Sequence, residues 1–287
     1  MRIGLKLPNS GPKSLDPGVA AMARVLEQAA ADSLWVSDHV VMPERIVSPY
    51  PFAADGRATW ETDMPWLDAL VALALAAAVT ERVRLGTAVL VLPLREPLVF
   101  AKQAATIDVA SGGRLELGVG AGWLEEEFDA LNVPFERRGA RLEEWIALVR
   151  AAWTGRPDAQ VSERYTLPAD TLVYPRPAHA IPVLIGGHSR FALRRAARHG
   201  DGWLAHQEAD ALDPGHIRAG IDMMREAGAE RPRVVVRIVK SLGRCDLVAA
   251  GLPALAAVGV DEVIVDVPPD DLDAARMDVE RLRAAVA

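Results

Sequence analysis

The sequence has one cysteine, Cys245, in 287 residues. A lone thiol forms no internal disulfide and cannot build the thiolate clusters of structural zinc sites, so no oxidising compartment is implied and a cytoplasmic location is expected. Long apolar runs are also missing. The longest, from Trp66 to Val79, is interrupted by Asp68 and is too short to cross a bilayer. The opening run breaks at Pro8 and reads as a first strand, not as a secretory leader. Positive charge is in deficit: 32 Lys and Arg against 39 Asp and Glu leave a formal charge of -7. General attraction to nucleic acid or to an anionic lipid surface is therefore not expected, and a small molecule is the expected partner. Histidines are few, at six. No His/Asp/Glu group has metal-ligand spacing, and no Gly-x-Ser-x-Gly elbow is present, so neither a metal centre nor that type of nucleophile is expected.

What is present is the balance of a globular chain with a sizeable core, 51% apolar and 25% charged. Short β-branched or aliphatic runs alternate with longer Ala/Leu-rich segments of helical period. Strands are expected at 2–7, 34–37, 83–90, 114–120, 183–185, 202–205, 233–239 and 262–266. Helices are expected at 19–31, 67–79, 99–110, 141–153, 190–198, 214–226, 247–258 and 272–286. About eight βα pairs predict an α/β fold of the (β/α)8 TIM-barrel type, with loop insertions. An open doubly wound sheet shares the same local alternation, and strand number favours the barrel. No low-complexity linker divides residues 1–287, which are read as one domain. Two stretches exceed ordinary loop length. Residues 40–65 carry four prolines with Tyr50, Phe52 and Trp60, and read either as a lid over a pocket or as a packed excursion. Residues 155–181 form the second insertion, structural or substrate-facing.

Five groups could carry chemistry. Trp35-Val36-Ser37-Asp38-His39 ends the second strand, where side chains leave a barrel at its C-terminal mouth. His39 is placed there to exchange a proton, with Asp38 orienting it or bonding a cofactor edge; the structural alternative is a loop-capping histidine. Gly86-Thr87-Ala88-Val89-Leu90 makes one strand face thin, for a stacked planar group or for close packing. Asp108 to Arg114, with Gly112 and Gly113, reads as a structural turn at the opposite end, with Asp108 facing Arg114. Gly118-Val119-Gly120-Ala121-Gly122-Trp123 lacks the spacing of the dinucleotide fingerprint. It either brings backbone N–H groups to a ligand through Gly120 and Gly122 or makes a tight turn. Ile185-Gly186-Gly187-His188-Ser189-Arg190 ends a strand at a helix start and is the best phosphate candidate, with an ordinary capped turn as the alternative. His206 lies just past a strand and within reach of the mouth.

In order and spacing, Val83-Arg84-Leu85-Gly86-Thr87, Leu92-Pro93-Leu94-Arg95-Glu96-Pro97, Ser111-Gly112-Gly113-Arg114, Gly118 to Trp123, Glu127-Phe128, Ile185-Gly186-Gly187 and Gly200-Asp201-Gly202-Trp203 together resemble the bacterial luciferase-like superfamily over nearly the whole chain. The stretches Trp35 to His39 and Asp63-Met64-Pro65-Trp66 resemble its coenzyme F-420-dependent oxidoreductase branch. The resemblance implies a deazaflavin ring over Ala88-Val89, on a non-prolyl cis peptide. Phosphate would be received by Gly186, Gly187, His188 and Ser189, and His39 would face the ring. It implies hydride transfer with a small organic substrate, and a homodimer. A flavin mononucleotide (FMN) monooxygenase using O2 is the alternative chemistry on the same barrel, and a non-catalytic flavin-binding barrel is the alternative from another class.

Overall fold

The computed structural model describes residues 1–53, 55–58 and 60–286. In chain order the elements are β1 (Arg2–Lys6), α1 (Val19–Gln28), β2 (Ser33–Val36), α2 (Ala69–Ala77), β3 (Arg84–Val91), α3 (Pro97–Ala110) and β4 (Leu115–Gly120). There follow α4 (Glu125–Ala130), α5 (Arg138–Ala152), a two-residue-arm hairpin β5 (Gln160–Val161) and β6 (Thr166–Leu167), then β7 (Val183–Gly186) and α6 (Arg190–His199). The chain ends with β8 (Gly202–Glu208), α7 (Pro214–Glu226), β9 (Arg233–Val239), α8 (Cys245–Val258), β10 (Glu262–Val265) and α9 (Leu272–Ala284). Eight parallel strands close in the order β1-β10-β9-β8-β7-β4-β3-β2. Closure decides for the barrel over the open sheet, because β1 pairs with both β2 and β10.

Caps explain where the helix boundaries depart from the hydrophobic pattern. Asp68 accepts from the N–H groups of Leu70 and Val71 and starts α2 two residues late. Glu96 accepts from Val99 N–H, and Pro97 takes the first position of α3, so that helix starts two residues early. Two features escaped the sequence pattern: the short α4 and the hairpin inside 155–181. Both are too short to show a period.

Strand alternation stacks three layers of side chains along the barrel axis. The floor is ionic: fully buried Glu262 pairs with Arg2, Arg84 and Arg233, and Glu116 takes Arg84 and Arg233 at 2.5 and 2.7 Å. Ser33 and the Trp35 indole N–H also bond into this cluster. Charges removed from water require such compensation. The middle layer is apolar, with Trp35, Leu184, Leu204, Val235 and Ile264. Trp35 fits only because Gly86 faces it; a Cβ at that position would enter the indole ring. The third layer opens at the C-terminal mouth and holds a second set of titratable groups, His206 and Arg237 among them.

Candidate active site

His39 follows β2 at the rim of the mouth. Its Nδ1 lies 3.0 Å from Oε2 of Glu127, and both side chains are nearly enclosed. The other Glu127 oxygen accepts from the N–H groups of Val40 and Val41 at 2.5 and 3.3 Å. A carboxylate only accepts, so Nδ1 carries the hydrogen and Nε2 is the basic nitrogen. Trp66 stands edge-on to the imidazole at 4.7 Å, with Trp123 and Trp60 at 6.3 and 6.5 Å.

The partner of His39 corrects the expectation for Asp38. The Asp38 side chain is fully buried and faces away from the imidazole's orienting role: it accepts from Val91 N–H at 2.9 Å and from Arg95 at 2.7 Å. Burial pushes its carboxyl up, against the opposing pull of Arg95 and the Val91 N–H. Arg95 also reaches Asp68, so this cluster ties the end of β2 to β3 and to the start of α2. Asp38 thus fixes the backbone beside His39, and Glu127 fixes the ring.

The Ala88–Val89 peptide is cis, and the β3–β4 register shifts between Thr87 and Leu90. Val89 faces the absent side chains of Gly120 and Gly186; a Cβ at either would come within 3 Å of its methyl groups. These two glycines therefore make room for Val89. Gly122, at φ 87, is turned against Phe128 and Val91, and its carbonyl accepts from Arg138. It is a turn residue. The Asp108–Arg114 expectation also fails: Asp108 accepts from Ala178 N–H, while Arg114 binds Ser111, Thr80 and Val83. Gly112 and Gly113 have positive φ, as the turn requires.

At the end of β7, Gly187 has φ 116 and Ser189 caps α6 by accepting from Ala192 N–H at 3.2 Å. The N–H groups of Gly187, His188, Ser189, Arg190 and Phe191 make no hydrogen bond among the described residues. His188 joins two neighbours: its Nε2 accepts from His206 N–H at 2.9 Å, and its Nδ1 is 2.8 Å from Nε2 of His216. Burial, aided by His216, lowers His188 to about 4. His206 also falls to about 4, through burial and then the charges of Arg237, His188 and Lys240. Both imidazoles are neutral near pH 7. β8 continues to Glu208, pairing His206 with Arg237 of β9, so His206 belongs to the barrel wall itself. Among the described residues no cluster has the makings of a metal site.

Residues 40–65, of which Ala54 and Thr59 lie outside the described set, run across this mouth as a strap. The root is pinned to α4: Glu126 accepts from Val47 N–H, Ser48 N–H and the Ser48 hydroxyl at 2.5, 2.9 and 2.6 Å. Burial opposes ionisation of Glu126, but these donors outweigh it and hold the carboxyl at about 2. Beyond the root a row of rings crosses from His39. Trp123 is 5.1 Å from Tyr50, Tyr50 is 5.5 Å from Phe52, and Phe52 lies 4.3 Å from His206 at 32°. Of the groups expected from the sequence, the structure places His39 at one end of this row and His188 at the other. Glu127 was missed as the orienting carboxylate; its signal was a third acidic residue, one helical turn past a glycine-rich strand end.

A closed parallel barrel of eight strands, with His39, Glu127, His188 and His206 at its C-terminal mouth, defines a (β/α)8 protein with a candidate site at that mouth. The chain belongs to the luciferase-like monooxygenase family, whose model matches residues 1–249. It is 34% identical over 244 residues to the uncharacterized protein Rv0940c of Mycobacterium tuberculosis, covering 85% of this chain and 83% of that one. It is 36% identical over 208 residues to the F420-dependent glucose-6-phosphate dehydrogenase of Beutenbergia cavernae, covering 71% of this chain and 56% of the relative. Among solved structures, the monooxygenase RslO1 from Streptomyces bottropensis shares the fold at TM-score 0.77 and 19% identity over the whole of both chains. An F420-dependent secondary alcohol dehydrogenase, solved with an F420-acetone adduct, shares it at TM-score 0.75 and 16% identity, covering 100% and 99%. No helix among the described residues is long and apolar enough to cross a membrane.

Proposed function

We propose that this protein is a deazaflavin (F-420)-dependent oxidoreductase that moves a hydride to or from a small organic substrate. The observation that carries the reading is the His39–Glu127 pair, which sets a basic Nε2 at the mouth of a barrel of this family. Hydride loss from an alcohol carbon must be accompanied by loss of the hydroxyl proton. Neutral His39 accepts that proton at Nε2, and in the reverse direction the imidazolium returns it, with Glu127 stabilising the charged ring through Nδ1.

The residues present fit such a cofactor. The unengaged N–H groups of Gly187 to Phe191, at the N-terminus of the ten-residue helix α6, suit a phosphate. Ala88 and Val89 would lie under the ring, and Gly186, Gly187, His188 and Ser189 would hold the tail. A bound deazaflavin supplies a carbon-centred hydride donor and acceptor with little reactivity toward O2, whereas FMN in the same place would supply oxygen chemistry. Tyr50 and Phe52 must lift from the mouth for any tricyclic ring to enter, and on return they exclude water.

The same reading takes the protein as a cytoplasmic homodimer. Helix α2 is apolar on its outer face as well as its inner one, with Val71 and Leu75 exposed, and Val99 and Val109 are exposed on α3 beside it. Titration with F-420 and with FMN, followed by reduction of each, tests the cofactor. F-420 binding with substrate-dependent reduction is expected; preference for FMN with O2 consumption overturns it.

A further inference from the structure

The arginines that reach the barrel interior all find carboxylates: Arg2, Arg84 and Arg233 meet Glu262 or Glu116, and Arg237 meets Asp266 at 2.5 Å. Lys6 does not. It follows Gly4, whose Cβ direction points to Ser33, Trp35 and Glu262, so Lys6 also faces inward, one layer higher. There it feels Asp266, the residue just past β10, and Arg237 of β9, while His206 of β8 pairs with Arg237 from the far side. Its ammonium donates only to neutral oxygens, Asn9 Oδ1 at 3.1 Å and its neighbour's carbonyl at 3.3 Å. No carboxylate lies within 4 Å of it among the described residues, and Asp266 is engaged by Arg237 and Ser241. Lys6 is half-buried. Burial, with Arg237 adding to it and Asp266 opposing, brings its amine down to about 7.

A second group on this arc is also unsatisfied. His206 Nε2 is buried and has no hydrogen-bond partner among the described residues, and it lies beneath Phe52. Buried polar groups without partners are uncommon, and in a mouth they mark places where a ligand's atoms complete the bonding.

We propose that the Lys6–His206 side of the mouth is a subsite for the carboxylate of the substrate, with Lys6 as its counter-charge. This rests on the hydride-transfer reading and narrows it: the reacting alcohol or carbonyl belongs to a small carboxylic acid. One amine and one neutral imidazole, on either side of an Arg237 already paired with Asp266, match a single negative charge. The indole rings around His39, Trp60, Trp66 and Trp123, take the remainder of the molecule, and the Nε1–H of Trp60 and of Trp66, unpartnered among the described residues, can donate to it. Burial of the carboxylate against Lys6 replaces neutral acceptors by an ionic one and raises the proton affinity of the amine.

Benzoate is the probe, with benzyl alcohol as its uncharged counterpart and inorganic phosphate as the competing anion. The chain has four lysines, Lys6, Lys13, Lys102 and Lys240. Reductive 13C-methylation therefore gives few signals, and that of Lys6 is identified by its loss in Lys6→Met. Saturable benzoate binding, an upward shift of the Lys6 titration midpoint, and a loss of about ten-fold or more in benzoate affinity in both Lys6→Met and Lys6→Gln are expected. The wild-type signal stands even if a variant fails to fold. Equal affinity for benzoate and benzyl alcohol, a Lys6 signal that answers to phosphate and not to benzoate, or absence of saturable binding overturns the subsite. Cofactor titrations are read separately by absorbance. Their failure withdraws the hydride reading and leaves the benzoate result standing on its own.

Discussion

Replacing Glu127 by glutamine tests whether the His39 ring owes its orientation and tautomer to one carboxylate. In the native protein Glu127 accepts three hydrogen bonds, one from His39 Nδ1 and two from the N–H groups of Val40 and Val41. The amide oxygen of glutamine keeps the backbone pair, and its NH2 then confronts Nδ1. Two donors cannot share that contact, so the imidazole must move its hydrogen to Nε2 or turn away. Either response removes the basic nitrogen from the mouth. The lost interaction is a hydrogen bond to a charged group, worth about 1.5–3 kcal/mol, which corresponds to a fall of roughly 10- to 150-fold in kcat. KM changes little, because Glu127 touches no substrate in this scheme. The assay has two parts. 15N-detected histidine spectra show the Nδ1–H tautomer of His39 in the wild type and its loss in Glu127→Gln, and steady-state kinetics with reduced F-420 measure the turnover. An unchanged tautomer with unchanged kcat refutes the positioning role. A fall in kcat with the tautomer preserved refutes the mechanism given for it.

Other parts of the structure make independent predictions. Gly86→Ala should destabilise the fold by about 1–3 kcal/mol through overpacking against Trp35, read as a lower urea midpoint at constant m. Glu126 contributes stability that is fully present above its ordinary pKa of 4.5 and is lost as pH falls through about 2, because its folded pKa is depressed. Tryptophan fluorescence of the strap should follow that loss, and Glu126→Gln should abolish it; an identical acid transition in the variant sinks the assignment. Phe52→Ala should speed cofactor association by uncovering His206, measured by stopped-flow, and an unchanged rate argues against the strap as a gate. The proposed homodimer predicts that the wild type sediments as two copies and Leu75→Lys, on the outer face of α2, as one, with the barrel intact by circular dichroism; a wild type that sediments as one copy overturns it.

The barrel was legible because each strand is a short aliphatic run and each helix a long periodic one, and those two patterns survive without tertiary information. The ends of β8 and the starts of α2 and α3 were not, because hydrogen bonding extends or caps them: His206 and Glu208 are polar residues kept in a strand by pairing with β9. Among site residues, His39 could be found from its place after a strand. Its partner could not, since Glu127 lies 88 positions away and becomes adjacent only when β2 and β4 are brought to the same rim. Asp38 shows the converse for the orienting role. Asp38 and His39 both lie past the end of β2 and take different partners, so adjacency in sequence did not make them partners in space. Lys6 carried no signal in sequence, because its distinction is the carboxylate it lacks.

That lack also separates ligand-facing groups from structural ones. Five buried side-chain nitrogens lack partners among the described residues, Trp60 Nε1, Trp66 Nε1, Arg95 Nη1, His206 Nε2 and Arg233 Nε, and the two arginines among them belong to guanidinium groups whose other nitrogens already hold carboxylates. Their charge is compensated, and one idle N–H is a modest cost. Lys6 has an amine with no carboxylate within salt-bridge distance, and His206 has a ring nitrogen with no partner, among the described residues. Both stand on the arc of the mouth from β8 through β9 and β10 to β1, covered in part by Phe52. On the other arc every polar group that holds His39 is taken: Asp38 by Arg95 and Val91, Glu127 by His39, Val40 and Val41. Those bonds fix the His39 ring, although the indole N–H groups of Trp60 and Trp66 packed against it are themselves buried without partners among the described residues. The unsaturated arc gains its bonds when a ligand arrives, and its affinity for that ligand comes from the same deficit.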